Sequence, residues 1–124
     1  MTPDEAFAVI PSEVQRPLAD IRALIHRIAG ETPDVGAIVE EVKWGQLSFS
    51  TKPRTGSPIR IGQLKSGEPA LFAHCQTTLM NDFAAGPGAG LSFEGSRAVV
   101  VPEDAELLVP LIRAALTYHE KQQK

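Results

Sequence analysis

Two stretches carry most of the side chains able to do chemistry. The first, Glu40-Glu41-Val42-Lys43-Trp44-Gly45-Gln46-Leu47-Ser48-Phe49, holds adjacent carboxylates, a lysine and the only tryptophan. The second, Ala70-Leu71-Phe72-Ala73-His74-Cys75-Gln76-Thr77-Thr78, sets a histidine beside the only cysteine, followed by an amide and two hydroxyls. Two carboxylates that share a face can divide general acid and base work. Neighbours on a strand point to opposite faces, so Glu40 and Glu41 cannot form such a dyad, although one of them can line a cleft. Lys43 and Trp44 diverge for the same reason. Trp44 reads as a core or cleft-wall anchor, because a large aromatic contributes heavily to burial, with stacking on a ligand as the alternative.

His74 and Cys75 also face opposite ways on a strand, and no Cys-x-x-Cys or His-x-x-x-His spacing supplies the converging ligands that zinc requires. No base is specified for Cys75 as a nucleophile, and a small buried apolar role suits it. The segment after it says more. A strand running into a helix N-terminus presents unpaired backbone N–H groups, which attract anions. His74, Gln76 and the hydroxyls of Thr77 or Thr78 can complete a polar pocket there; the alternative is a threonine that simply caps the helix. Arg97 is suited to bidentate carboxylate or phosphate contacts. The expectation is a ligand-binding set of Glu41, Lys43, Trp44, His74, Gln76, Thr77 and Arg97 for a small polar or anionic ligand. No catalytic residues, no metal site and no cofactor are expected, because no nucleophile, base and electrophile set is recognisable. Gly86-Pro87-Gly88-Ala89-Gly90 lacks the third glycine and following helix of a dinucleotide loop, and no Gly-x-Ser-x-Gly elbow occurs.

The elements that must position these residues follow from periodicity. Thr2 to Ile10 is expected to form a short helix, with Thr2 capping and Pro3 at its first position. Val14, Leu18, Ile21, Ile25 and Ile28 recur at 4-3-4-3 spacing and predict a longer helix, capped by Ser12 and ended by Gly30. Pro17 belongs in its first turns or marks a break. Thr32 to Gly36 is a connection. Ile38 to Trp44 and Leu47 to Thr51 are strand-like. Their apolar positions switch from even to odd numbers across Gly45, which demands a turn or bulge there. After a loop through Pro58, strands are expected at Ile59, Ile61 and Leu64, and over Ala70 to Cys75. Thr77 and Thr78 open a helix of about seven to nine residues that buries Leu79, Met80 and Phe83. A hairpin around Gly95-Ser96, in a type II′ turn, joins Leu91–Phe93 to Arg97–Val101. After Pro102, a final helix shows Leu107, Leu108, Leu111, Ile112, Ala115 and Leu116 on one stripe, with Pro110 delaying its regular part; the residues from Glu120 should fray. Short strands and tight turns predict an α+β domain with an antiparallel sheet of about five strands packed against N-terminal and C-terminal helices.

The 124 residues suffice for a single domain, 1–124, with 43% apolar and 22% charged residues. A net charge of −3 without a basic stripe argues against nucleic acid as a partner. One cysteine excludes an internal disulfide. No apolar run approaches bilayer length and no basic-then-apolar leader is visible, so a cytoplasmic protein with no membrane partner is expected.

Lys43-Trp44-Gly45, the stretch Ala70 to Thr78 and the segment Phe93-Glu94-Gly95-Ser96-Arg97 together resemble the YdhG-like family of small bacterial domains of largely unknown function. Trp44 to Phe49 matches best, and Ser96 stands where the most similar subgroup has asparagine. The resemblance implies an antiparallel sheet backed by helices, and some relatives are described as frataxin-like iron chaperones. Asp4, Glu5, Glu13 and Asp20 are too dispersed for the acidic ridge that such a role wants. A homodimer or interaction module, using an exposed strand edge or the C-terminal helix, is the competing expectation.

Overall fold

Apolar residues at helical spacing need a flat apolar surface to cover, and the middle of the chain supplies one. The computed structural model describes residues 2–33, 35–43, 46–52, 56–74 and 77–118. In chain order the elements are α1 (Pro3–Ala8), α2 (Ser12–Glu31), β1 (Ala37–Lys43), β2 (Gln46–Lys52), β3 (Ile59–Gln63), β4 (Pro69–Ala73), α3 (Leu79–Ala85), β5 (Phe93–Glu94), β6 (Ala98–Val100), a 3-10 turn (Ala105–Leu108) and α4 (Val109–Leu116). The strands form one antiparallel sheet in the order β1-β2-β3-β4-β6-β5. This is the expected α+β architecture, with six strands among the described residues in place of about five. No helix among the described residues is long and apolar enough to cross a membrane.

Local chemistry explains most boundaries. In α1, Glu5 N–H donates to Thr2 Oγ1 at 3.2 Å and Thr2 N–H donates to Glu5 Oε1 at 2.9 Å, a reciprocal capping box. That backbone hydrogen bond from Thr2 holds the Glu5 carboxyl below the usual range. The helix stops at Ala8, short of the expected Ile10. Ser12 is already helical and Pro11 takes the cap position. Gln15 Nε2 donates to Ile10 O at 2.8 Å, which ties the end of the first helical segment to the start of the second.

Pro17 lies in the second turn without breaking α2, at the cost of the N–H that Glu13 O would otherwise accept. Gly30 does not end the helix; it continues to Glu31, and Thr32 Oγ1 donates back to Ile28 O at 2.6 Å. The predicted stripe of Val14, Leu18, Ile21, Ile25 and Ile28 is buried, joined by Leu24. Each such side chain contributes about 1.5–3 kcal/mol by leaving water.

The parity switch at Gly45 is the switch between hairpin arms. Val42 pairs with Leu47, Glu40 with Phe49 and Ile38 with Thr51, so even positions of β1 and odd positions of β2 share the face toward the helices. Trp44 and Gly45 themselves lie outside the described residues. Leu47, Phe49, Ile59, Ile61, Leu71, Ala73 and Val99 complete the inner face. The opposite face carries Glu41, Ser48, Arg60, Phe72 and Ala98 across one register row. There Ala70, Phe72 and Ala98 form a small second apolar cluster with Leu64 against it. The Arg60 guanidinium lies 5.9 Å from the Phe72 ring centroid.

The second half of the chain follows its local signals with one exception. α3 buries Leu79, Met80 and Phe83, as the spacing predicts. Gly95, with φ of 57°, begins the expected tight turn, and Arg97 N–H donates to Glu94 O at 3.4 Å. Pro110 does delay the regular helix, but the 3-10 turn before it changes the angular step, and Leu107 ends up exposed rather than on the buried stripe. Near the end of α4, Ser57 N–H donates to Ala115 O at 2.8 Å; a Cβ on Gly56 would lie 2.5 Å from that same oxygen, a distance only glycine allows.

If α2 is held by its stripe, Ile25→Ala should cost about 2–5 kcal/mol, read as a lower urea midpoint with an unchanged slope.

Candidate functional site

Glu40 occupies an even position in β1, the parity that faces the helices, so a carboxylate projects where Ile38 and Val42 are apolar. α2 answers it. Arg22, one helical turn before His26, donates from Nη2 to Glu40 Oε1 at 2.6 Å and from Nε at 3.1 Å. His26 Nε2 meets Glu40 Oε2 on its other side. Arg22 Nη2 also reaches Asp4 Oδ1 at 2.8 Å, and its guanidinium lies 5.5 Å from the Phe7 ring centroid. One carboxylate with a side chain only 14% exposed is thus held by a bidentate arginine and an imidazole, while the same arginine holds α1.

Burial pushes the Glu40 carboxyl up, yet hydrogen bonds from Arg22 and His26 outweigh it, and its pKa lies below the usual range. The hydrogen bond to Glu40 raises Arg22 further above its already high value. Chemically this is a closed cluster: Glu40 has spent its acceptor capacity on the protein. It works as a clamp between α1, α2 and β1.

A more open arrangement lies along another stripe of α2. Arg16, Asp20, Ala23 and Arg27 recur at 4-3-4 spacing and face the segment from Val101 to Glu106. The small Ala23 leaves room beneath. One cavity of about 320 Å³ is lined by Asp20, Ala23, Leu24 and Arg27 from α2 and by Asp104, Ala105 and Glu106 opposite. A neighbouring cavity of about 340 Å³ is lined by Arg16, Pro17, Asp20, Pro102, Glu103 and Ala105. Asp20 and Ala105 line both, so the two cavities adjoin along this side of α2 as one grooved surface.

Arg27 closes one end by donating to Glu106 at 3.0 and 2.9 Å, which raises the arginine pKa and lowers that of the glutamate. Asp104 Oδ1 accepts from Glu106 N–H and starts the 3-10 turn. Among the described residues, the side chains of Arg16, Asp20 and Glu103 make no hydrogen bond or ion pair. The groove therefore offers two free carboxylates and one free guanidinium beside an apolar floor.

The residues singled out in the sequence are spread across the sheet. Glu41 and Lys43 lie on β1, exposed on the face away from the helices, and neither side chain has a partner among the described residues. His74 follows β4, three strands away, which is about 14 Å at ordinary strand spacing. Thr77 Oγ1 donates to His74 O at 2.7 Å, so this hydroxyl turns back to the preceding carbonyl; the Thr78 side chain makes no cap either. Arg97 O accepts from Ala73 N–H at 2.8 Å, which brings Arg97 near the end of β4, and its guanidinium reaches Glu94 at 2.6 Å. His74, Thr77 and Arg97 thus share one end of the sheet, apart from Glu41 and Lys43. Trp44, Cys75 and Gln76 lie outside the described residues. Among the described residues no three His, Cys, Asp or Glu side chains converge as metal ligands.

Because the folded state depresses the Glu40 pKa, its stabilisation is fully present above the ordinary glutamate range and is lost as pH falls through the depressed value. Glu40→Gln should cost about 1–3 kcal/mol near neutrality, and stability of the variant measured by urea unfolding should fall less steeply than that of the parent on acidification.

A comparison of the chain with models of known protein families, with curated proteins and with solved structures found no match.

Proposed function

We propose that this chain is a binding domain for a small polar ligand, held in the groove between α2 and the segment from Val101 to Glu106. One observation carries the reading: two adjoining cavities share Asp20, and their lining presents free Asp20, Glu103 and Arg16 side chains. Charged side chains that line a concave surface without pairing with one another leave their hydrogen-bonding capacity open to a ligand. Four carboxylates against two arginines favour a ligand with a cationic group, such as an amine, over the anion expected at Thr77 and Arg97. Arg16, on the cavity nearer the start of α2, suits a carboxylate at the ligand's other end.

The YdhG-like resemblance belongs to the same proposal. Its support is the three quoted segments and a sheet-and-helix architecture of the kind it implies; architecture alone does not assign activity.

A second reading, self-association through a strand edge, draws on one feature. β1 is seven residues long, has one hydrogen-bonded neighbouring strand among the described residues and contains no buried residue.

Titration with putrescine and glycine, with succinate as the charge-reversed control, tests the ligand reading by amide chemical shifts. Putrescine or glycine should move amides in residues 16–27 and 101–106, and Asp20→Asn should weaken that binding about tenfold. Shifts absent at millimolar probe, or shown equally by succinate, would remove the reading.

A further inference from the structure

We infer that α3 and α4 hold a further binding site, for a small amine whose apolar body is about the size of a six-membered ring, the ring between the helices and the ammonium on Asp82. A cavity of about 160 Å³ lies there, lined by Leu79, Asp82, Phe83 and Pro87 on one side and by Pro110, Leu111 and Ala114 on the other. It shares no lining residue with the groove beside α2. Helical spacing puts Leu79, Asp82 and Phe83 on one face of α3, and sets Pro110 and Ala114 one turn apart on α4. Ala114 is a single methyl and Pro110 a compact ring, and longer side chains at these two positions would fill the gap between the helices.

The walls are held in advance. Gly86 and Gly88 N–H both donate to Phe83 O, at 3.1 and 2.7 Å, and fold the chain back over the end of α3. A Cβ on Gly88 would lie 2.4 Å from the Phe83 ring, so glycine lets this turn close against it, while Phe93 meets the same ring edge-on with centroids 6.2 Å apart. Leu79, Phe83 and Leu111 are buried and form an apolar floor. Pro87 and Pro110 add apolar surface that carries no backbone N–H. Asp82 is the one charged side chain in the lining. It is exposed and makes no hydrogen bond or ion pair among the described residues. An apolar space with one open carboxylate complements a cation borne on a hydrocarbon and disfavours an anion of the same shape. An apolar cavity of about 150 Å³ is enough to take benzene, so the ring of benzylamine matches the space. A site whose walls are already fixed loses little to ordering when it is filled.

Titration of the full chain with benzylamine, followed by amide chemical shifts, tests this against benzyl alcohol, methylamine and benzoate. Millimolar benzylamine should shift the amides of Leu79, Asp82, Phe83, Leu111 and Ala114. Benzyl alcohol, which keeps the ring and loses the charge, should bind at least about tenfold more weakly. Methylamine and benzoate should leave these amides in place. Asp82→Asn, at an exposed position, should reduce benzylamine to the level of benzyl alcohol, and Ala114→Leu should fill the space and abolish both. Undiminished binding by Asp82→Asn, or equal shifts with methylamine, would overturn the inference. So would benzylamine shifts confined to residues 16–27 and 101–106, a result that would instead favour the groove. No shift at millimolar benzylamine would overturn this site alone, because the groove reading is decided separately by putrescine and glycine.

Discussion

The stripe of Val14, Leu18, Ile21, Ile25 and Ile28 must cover an apolar surface of similar length, and the inner face of the sheet is where it goes. That one packing decides which way the strand residues point. With α2 above the sheet, Leu47, Phe49, Ile59, Ile61 and Leu71 turn inward, and everything at the intervening positions turns outward. α4 adds Leu111, Ile112, Ala115 and Leu116 to the same layer, so the helices share one side. The polar stripe of α2 is then carried to the segment after β6, and the groove exists because two stripes of a single helix have different tasks.

The same constraint creates the Glu40 clamp. A carboxylate at an inward position beneath a helix would be costly unless it met cations and donors. Arg22 and His26 stand four apart, on the part of α2 that passes over β1, and between them they satisfy both oxygens. Arg22 does more than neutralise: through Asp4 it brings α1 into the arrangement, and the Phe7 ring lies against its guanidinium. Three elements are joined at this one carboxylate.

Much of the fold was legible because its signals are local. The spacing of the α2 stripe, the three buried residues of α3, the delay at Pro110 and the glycine turn at Gly95 each depend on a few neighbouring residues. Errors arose where a distant contact or a competing local bond took over. Gly30 suggested a helix end, but the helix runs on to Glu31, and Thr32 leaves it in an extended conformation with its hydroxyl bonded back to Ile28 O. Leu107 fitted a helical stripe until a 3-10 turn altered the angle. The candidate site was the least legible part. Glu40 shares the even parity of Ile38 and Val42, a signal present in the sequence, yet its partners depend on where α2 crosses β1. Arg16, Asp20, Ala23 and Arg27 form a readable stripe, but the Val101–Glu106 wall opposite them lies far along the chain, and no pattern within the helix announces it.

The brevity of β5 has a consequence for growth. A two-residue strand is a poor template for further hydrogen bonding, so the sheet can be extended from one side only. Chains with two long open margins can add copies without limit and run on into fibres. This one would exhaust its adhesive margin in a single meeting, so any assembly it forms by sheet extension stops at a finite, closed pair.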